Sequence, residues 1–385
     1  MSEPSIIAAL KMGFRDSKTY YDALRSYGAT RGSFFDKYLC GHIVVGYQDC
    51  QDIYRNSKDF GRSRLAFPDD FFAGTEGRRA AEGYRTFKSM SIFQNTGEVY
   101  ADRRQRLLAV LGTAKRAMAG GMVRSIACDH IGQIPKDEDV DIFSTSLRRY
   151  AAQCANVALI GKAQAPDLVQ ADALAAANFL DGKRVSKPHV VDALDAIDRL
   201  AEWISGEHGV SRECEYELVA DLVLLYVAAH ESLAYLLYTC LVQLANTSEE
   251  DCSRKPDGLA SLITEATRID SPVQMGGRVA LVDVRIGGSE FRAGEKVYLH
   301  LGAANRDGGV FERPDSFIEN RPTPHLAFGW GPTRCVGSEY ATACALEYLT
   351  ALLAQFKRIG HAAERSVFDH GLSARGLKSA FFTFE

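Results

Sequence analysis

The stretch HLAFGWGPTRCVGSEYATACALEYL, residues 325–349, holds the cysteine best placed for chemistry: a glycine-punctuated loop delivers Cys335 to the start of a long helical pattern. Backbone N–H groups and the positive end of a helix dipole lower a thiol's pKa and hydrogen-bond its sulfur, which favours a thiolate able to hold a metal. Gly329, Gly331 and Gly337 let the backbone fold closely against a flat ligand, where side chains would collide. The plainer alternative is a buried structural cysteine, since free Cys is among the most buried residue types. The chain has nine cysteines in all. They are widely spread, with no C-x-x-C pair to suggest zinc or a redox disulfide, and most read as reduced and structural.

Two other polar sets stand out. AAHES, residues 228–232, ends an apolar run, and polar groups there must be satisfied or face a cavity; a helix's polar stripe accounts for them equally. Glu265-x-x-Arg268 places an acid and a base on one helical face at i, i+3 spacing, which by itself is a common surface pair. Single arginines such as Arg104 and Arg278 are by default solvated charges.

The elements that must position these residues are mainly helical. Apolar residues recur at helical spacing from Asp102 to about Cys128, from Phe143 to Ile160 and from Val190 to Ile204. Leu218–Ala229 is the most apolar stretch; it contains Asp221, runs into His230 and Glu231, and reads as a buried helix too short and polar to span a bilayer. His42–Tyr47 reads as a strand and Cys50–Ser57 as a helix. Residues 272–301 switch to period two, with glycines at 276, 277, 287, 288 and 294, and read as β-hairpins. A helix runs from about Gly337 to Phe356. Residues 61–98 and Lys162–Asp181 are weakly patterned and read as mobile walls of a pocket.

No repeat and no Pro- or Ser-rich linker divides the chain, so residues 1–385 read as a single domain, mainly α with smaller β-sheet regions. Net charge is −4 with both signs interspersed, which excludes the basic footprint of a nucleic-acid binder. The start, MSEPSIIAALKMGFRDSK, lacks a basic head followed by a long apolar run, so no membrane anchor is expected and the location reads as cytoplasmic.

Phe328, Gly329, Gly331, Cys335 and Gly337 resemble the Phe-x-x-Gly-x-x-x-Cys-x-Gly haem loop of the cytochromes P-450, a highly specific motif. Further motifs follow in that family's order and extend the resemblance from about residue 20 to the C-terminus. It implies the cytochrome P-450 fold, with haem b (iron protoporphyrin IX) between the central long helix and the Cys loop and Cys335 as the iron's axial ligand. Ala228, Ala229, Glu231 and Ser232 resemble the central-helix Ala-Gly-x-Asp/Glu-Thr pattern, which implies Glu231 and Ser232 as a catalytic acid-alcohol pair relaying protons during dioxygen activation. Ala229 departs from the usual Gly and Ser232 from the usual Thr.

By the same resemblance, Arg104, Arg278 and His325 would bind the haem propionates, as arginine's fork suits carboxylates. Tyr100 stands where the family has His, and Thr333 where it has His or Arg. Tyr100, Ala228, Phe328, Gly329, Thr333 and Gly337 complete the implied cofactor set. Glu265 and Arg268 would be joined by Arg321 in a structural network that locks the loop before the cysteine. Asn305, Arg306, Asp307 and Pro314 would shape turns in the connecting loop. Phe87–Gln94, Lys162–Asp181, Val223–Ala228 and Val273–Met275 would line the pocket, with Gln94, Gln274 and Tyr226 as orienting groups.

The function implied is a haem-thiolate monooxygenase that activates dioxygen to hydroxylate a small organic substrate in specialised metabolism. Electrons would come from a separate redox partner, a ferredoxin or flavodoxin with its reductase, docking on the cysteine side where Arg334 lies. Two alternatives stand beside it: oxidative coupling or ring closure without oxygen insertion, and a non-catalytic haem-binding sensor.

Overall fold

Leucine, valine and tyrosine crowd the run YELVADLVLLYVAAHESLAYLLYTCLVQLA, and the computed structural model folds it into one 30-residue helix, Tyr216–Ala245, most of it buried. The structure describes residues 5–12, 17–29, 32–62, 78–91, 97–119, 121–182, 186–247, 255–369 and 371–385. Among these, the central helix is the one long and apolar enough to cross a membrane; the greater part of it packs inside the protein. The chain divides into two compact units, each assembled from three separate stretches: residues 1–63, 251–335 and 368–376 form one, and residues 64–250, 336–367 and 377–385 the other.

The first unit is built on a five-stranded sheet in the order Ser33–Asp36, Gly41–Val44, Lys296–His300, Met275–Ala280, Phe60–Gly61. Gly41–Val44 runs parallel to Lys296–His300 and the other neighbours are antiparallel. Because strand side chains alternate between faces, neighbouring residues feed different cores. Ile43 packs with Tyr20, Tyr21 and Leu24 of the helix Ser17–Gly28. Val44 joins Val297 and Leu299 over Cys50, Ile53 and Tyr54 of the helix Tyr47–Arg55. The expected hairpins are present: Val284–Ile286 pairs with Ser289–Phe291 through a turn at Gly287 (φ +54°).

His300 ends the strand and caps the short helix Leu301–Ala304. Its Nδ1 accepts from the Ala303 N–H at 3.1 Å, so the ring proton sits on Nε2, which meets the Tyr20 hydroxyl at 2.7 Å. Burial, aided by Arg375, pushes this imidazole down to about 3. A histidine neutral when folded and titrating near 6.5 when unfolded stabilises fully above pH 6.5, and that contribution is lost as pH falls toward the folded value. The urea midpoint is therefore expected to fall steeply below pH 6.5, with His300 alone removing about 2 kcal/mol by pH 5. His300→Asn, which keeps a cap, should be less stable at pH 7 but show a flatter pH dependence; an unchanged slope would refute this assignment.

The second unit is helical, with a small sheet in the order Val140–Asp141, Leu377–Phe384, Ile359–Phe368. The helical run expected from Asp102 to Cys128 is two helices, Glu98–Ala119 and Met122–Gly132, separated at Gly121, whose φ of +81° suits glycine. The stretch Lys162–Asp181, read as a mobile wall, contains the helix Asp167–Leu180. It buries Val169, Ala173, Ala176 and Phe179 and is tied by Asp172 to Arg199 at 2.6 Å on the helix Lys187–His208. Its apolar face is largely alanine, which weakens the sequence signal. Within 61–98, residues 78–89 are a helix pressed so closely on Lys187–His208 that a Cβ at Gly83 would lie 1.8 Å from the Leu194 carbonyl oxygen.

Candidate active site

The Cys loop is shaped by two left-handed glycines, Gly329 (φ +69°) and Gly331 (φ +63°), conformations that side-chain-bearing residues rarely adopt. They fold the loop back so that the Cys335 N–H donates to the Phe328 carbonyl at 2.8 Å, while the Cys335 residue itself is exposed. The chain then passes through Gly337 into the helix Ser338–Gln355, as expected.

The segment before the loop is held by the network anticipated from Glu265, Arg268 and Arg321. Arg268 is fully buried and grips Glu265 with two bonds, 2.8 and 2.7 Å. It also donates to the carbonyls of Asn305 at 2.7 Å and Pro314 at 2.9 Å. Arg321 reaches the same carboxylate at 2.9 Å, and the Ile318 N–H joins it at 2.9 Å. Asn305 Oδ1 then accepts from the Leu326 N–H at 2.6 Å, two residues before the haem-loop motif begins. Asp307 accepts from the Gly309 N–H at 2.9 Å within its own turn and from the Tyr47 N–H at 3.0 Å, and Arg306 donates to the Ile269 carbonyl at 2.9 Å, tying the connecting loop to its neighbours.

Arg278 and Thr333 are brought together: Arg278 Nη2 donates to Thr333 Oγ1 at 2.9 Å and Nη1 to the Gly277 carbonyl at 2.7 Å. His325 meets other neighbours. With Glu265, Arg268 and Arg321 it lines a cavity of about 350 Å³, and its Nδ1 accepts from the Ala327 N–H at 3.2 Å. Burial, with Arg268 nearby, holds this imidazole down to about 4, so near pH 7 it is a neutral donor through Nε2. Cys335, Arg278, Thr333, His325, Phe328 and Gly329 thus share the first unit. Their donor set fits haem b: an accessible sulfur for iron and an arginine of the type that carboxylates take.

The remaining expected residues lie in the second unit. On the central helix, Leu224, Leu225, Ala228, Ala229, Glu231 and Ser232 form the less buried face. Ser232 Oγ donates back to the Ala228 carbonyl at 2.7 Å. Glu231 is gripped by Arg148 through two bonds of 2.8 and 3.2 Å, and Arg148 also donates to the Leu377 carbonyl at 2.9 Å. Arg148 was missed because no local pattern ties it to a residue 83 positions away. On the helix Glu98–Ala119, Tyr100 is buried and Arg104 half-buried, while the adjacent Arg103 turns inward to Asp221 at 2.8 Å.

Two orienting groups are corrected. Tyr226, two residues and so about 200° from Ala228 around the helix, is buried and donates to Asn156 Oδ1 at 2.7 Å. Gln274 is buried between Tyr21, whose hydroxyl it accepts at 2.9 Å, and the Ser271 carbonyl. Phe87 is also core, against Phe179 at 5.2 Å between ring centroids. Gln94 lies outside the described residues.

The family model described as Cytochrome P450 matches residues 257–368. The chain is 36% identical over 174 residues to the biotin biosynthesis cytochrome P450 of Bacillus subtilis, a stretch that is 44% of each chain. It is 36% identical over 164 residues to the beta-dihydromenaquinone-9 omega-hydroxylase of Mycobacterium tuberculosis, covering 42% of this chain and 33% of that one. The chain thus spans less than half the length of these curated relatives. In fold the likeness runs through the whole chain. A crystal structure of P450BioI in complex with acyl carrier protein ligated to hexadec-9Z-enoic acid superposes with a TM-score of 0.80 at 23% identity, covering 97% of this chain and 100% of that one. Cytochrome P450 CREJ in complex with (4-ethylphenyl) dihydrogen phosphate gives 0.80 at 18% identity, covering 96% and 98%. The Cys loop, the Glu265–Arg268–Arg321 network and the whole-chain fold thus all agree with the likeness to the cytochromes P450 that residues 257–368 show in sequence, a family whose cofactor is haem b.

Proposed function

We propose that this protein is a haem-thiolate monooxygenase that oxidises a compact, partly apolar molecule of specialised metabolism, using dioxygen and electrons from a separate ferredoxin or flavodoxin system. The observation that carries the reading is Cys335, held by its own backbone bond to Phe328 at the open side of a doubly left-handed glycine loop. Haem, when bound, supplies the reduction of dioxygen and the oxidation of substrate. Cys335 would hold its iron through sulfur, and Arg278, with Thr333 beside it, would bind a propionate. On the central helix Ser232 keeps its hydroxyl proton on the Ala228 carbonyl and leaves its oxygen lone pairs to accept. Glu231, held by Arg148, is the acid of the same helix face available to supply protons to the site. The half-buried Leu224 and Leu225 and the exposed Ala228 give the same helix face an apolar surface, which supports a partly apolar substrate.

The test is reconstitution with haem, a ferredoxin and its reductase, measuring oxygen uptake, product and hydrogen peroxide with substrates chosen by spin-state shift. Oxygen uptake that depends on substrate supports the reading; haem binding without it indicates a sensor. Ser232→Ala should make peroxide the main product, and Glu231→Gln should lower kcat by about 10²-fold. Unchanged product formation in Ser232→Ala would instead favour oxidative coupling without oxygen insertion.

A further inference from the structure

The end of the helix Tyr47–Arg55 presses on both the Cys loop and the strand that carries Arg278. The Arg278 guanidinium lies over the Tyr54 ring, 4.7 Å from its centroid, and both residues are buried, at 7% and 6% exposure. Opposite that ring the backbone is pared to glycine. A Cβ on Gly276 would lie 2.4 Å from the Tyr54 hydroxyl oxygen, and one on Gly329 would lie 3.6 Å from the ring edge. Arg55, the next residue, stacks its guanidinium 5.5 Å from the centre of the Trp330 ring in the same loop. Arg278 is thereby held from three sides, by the Gly277 carbonyl, by Thr333 Oγ1 and by the Tyr54 face.

We propose that Tyr54 is a positioning residue for the cofactor: its ring fixes the plane of Arg278. A long arginine loses much rotamer freedom on binding a carboxylate, and one already stacked in a desolvated site has lost it beforehand. The haem carboxylate would then meet an arginine set in place, with Thr333 completing the clamp on its other side. The inference rests on the reading of Cys335 and Arg278 as haem-binding residues.

The experiment measures the rate of haem loss from the holoprotein to an excess of a haem-scavenging apoglobin, alongside the reduced carbon monoxide spectrum and the melting of the haem-free chain. Tyr54→Leu and Arg278→Leu should each speed haem loss by about tenfold, the scale of a desolvated cation–π contact, and the double variant should be no faster than either. Tyr54→Phe, which keeps the ring, should behave as the wild type. Should Tyr54→Leu fail to fold, Gly276→Ala gives a second route. Its methyl should push the Tyr54 hydroxyl aside and speed haem loss, and Tyr54→Phe in the same chain should restore the slow rate. Additive effects of the two leucine variants, or haem loss unchanged by Tyr54→Leu while the thiolate-type spectrum persists, would overturn the proposal and leave the haem-thiolate reading intact. A wild type without the thiolate-type spectrum would remove both.

Discussion

Cys335→Ala abolishes the strongly red-shifted Soret band expected of the wild-type protein when reduced and exposed to carbon monoxide, and oxygen-dependent substrate oxidation disappears with it. The expectation follows from how the loop is built. Gly329, Gly331 and the bond from the residue 335 N–H to the Phe328 carbonyl are backbone features that alanine retains. The substitution thus removes the sulfur while leaving the loop's fold in place, and the haem-free variant should melt like the wild type. Loss of the band with an unaltered melt assigns the ligand to the sulfur, since thiolate ligation is what pushes electron density onto the iron. A histidine-like band in both proteins would show that another side chain holds the iron and would end the haem-thiolate reading. Global unfolding of the alanine variant would show instead that Cys335 has a packing role.

Arg268→Ala is expected to cost about 3–5 kcal/mol, the range for removing one partner of a buried ion pair. Set against a total stability of about 5–15 kcal/mol, that is enough to leave little folded protein. Five donations from this one guanidinium end on Glu265 and on the carbonyls of Asn305, Pro314 and Ser316. Its loss leaves the Glu265 carboxylate, among the described residues, with the hydrogen bonds from Arg321 and the Ile318 N–H. Arg268→Lys should rescue little, because a single ammonium cannot reproduce the paired grip on Glu265 and the reach to three carbonyls at once. The measurement is the urea midpoint of the haem-free chain, with haem incorporation as second readout. Since Asn305 also holds the Leu326 N–H ahead of the Cys loop, incorporation should fail even in whatever fraction folds. A midpoint equal to that of the wild type would mean that the network merely decorates a loop held elsewhere.

How much of this was legible beforehand depends on sequence distance. The Cys loop could be read because glycine spacing, the cysteine and the helix that follows are consecutive, and backbone geometry within some ten residues is set by local sterics. Glu265 and Arg268 were legible for the same reason, an i, i+3 pair on one helix face. The central helix announced itself by its long apolar run, and the hairpins by their glycines and period two. The helix Asp167–Leu180 was hidden by its alanine-rich face, and the break at Gly121 by helical patterns on either side of it.

What tertiary structure alone decided are the contacts made across long loops, where the partner is chosen by packing and leaves no trace in either local pattern. Periodicity placed Glu231 on a helix but said nothing of Arg148 on another. The family resemblance offered Tyr226 and Gln274 to a ligand, although both are buried and hydrogen-bonded within the protein. Periodicity gave no hint that Tyr54, Arg278 and Thr333, drawn from a helix, a strand and the Cys loop, would stack into one clamp. The sequence by itself singled out the cysteine loop that would hold an iron, because that loop is consecutive; the packing of distant segments determined what holds the loop and Arg278 in place.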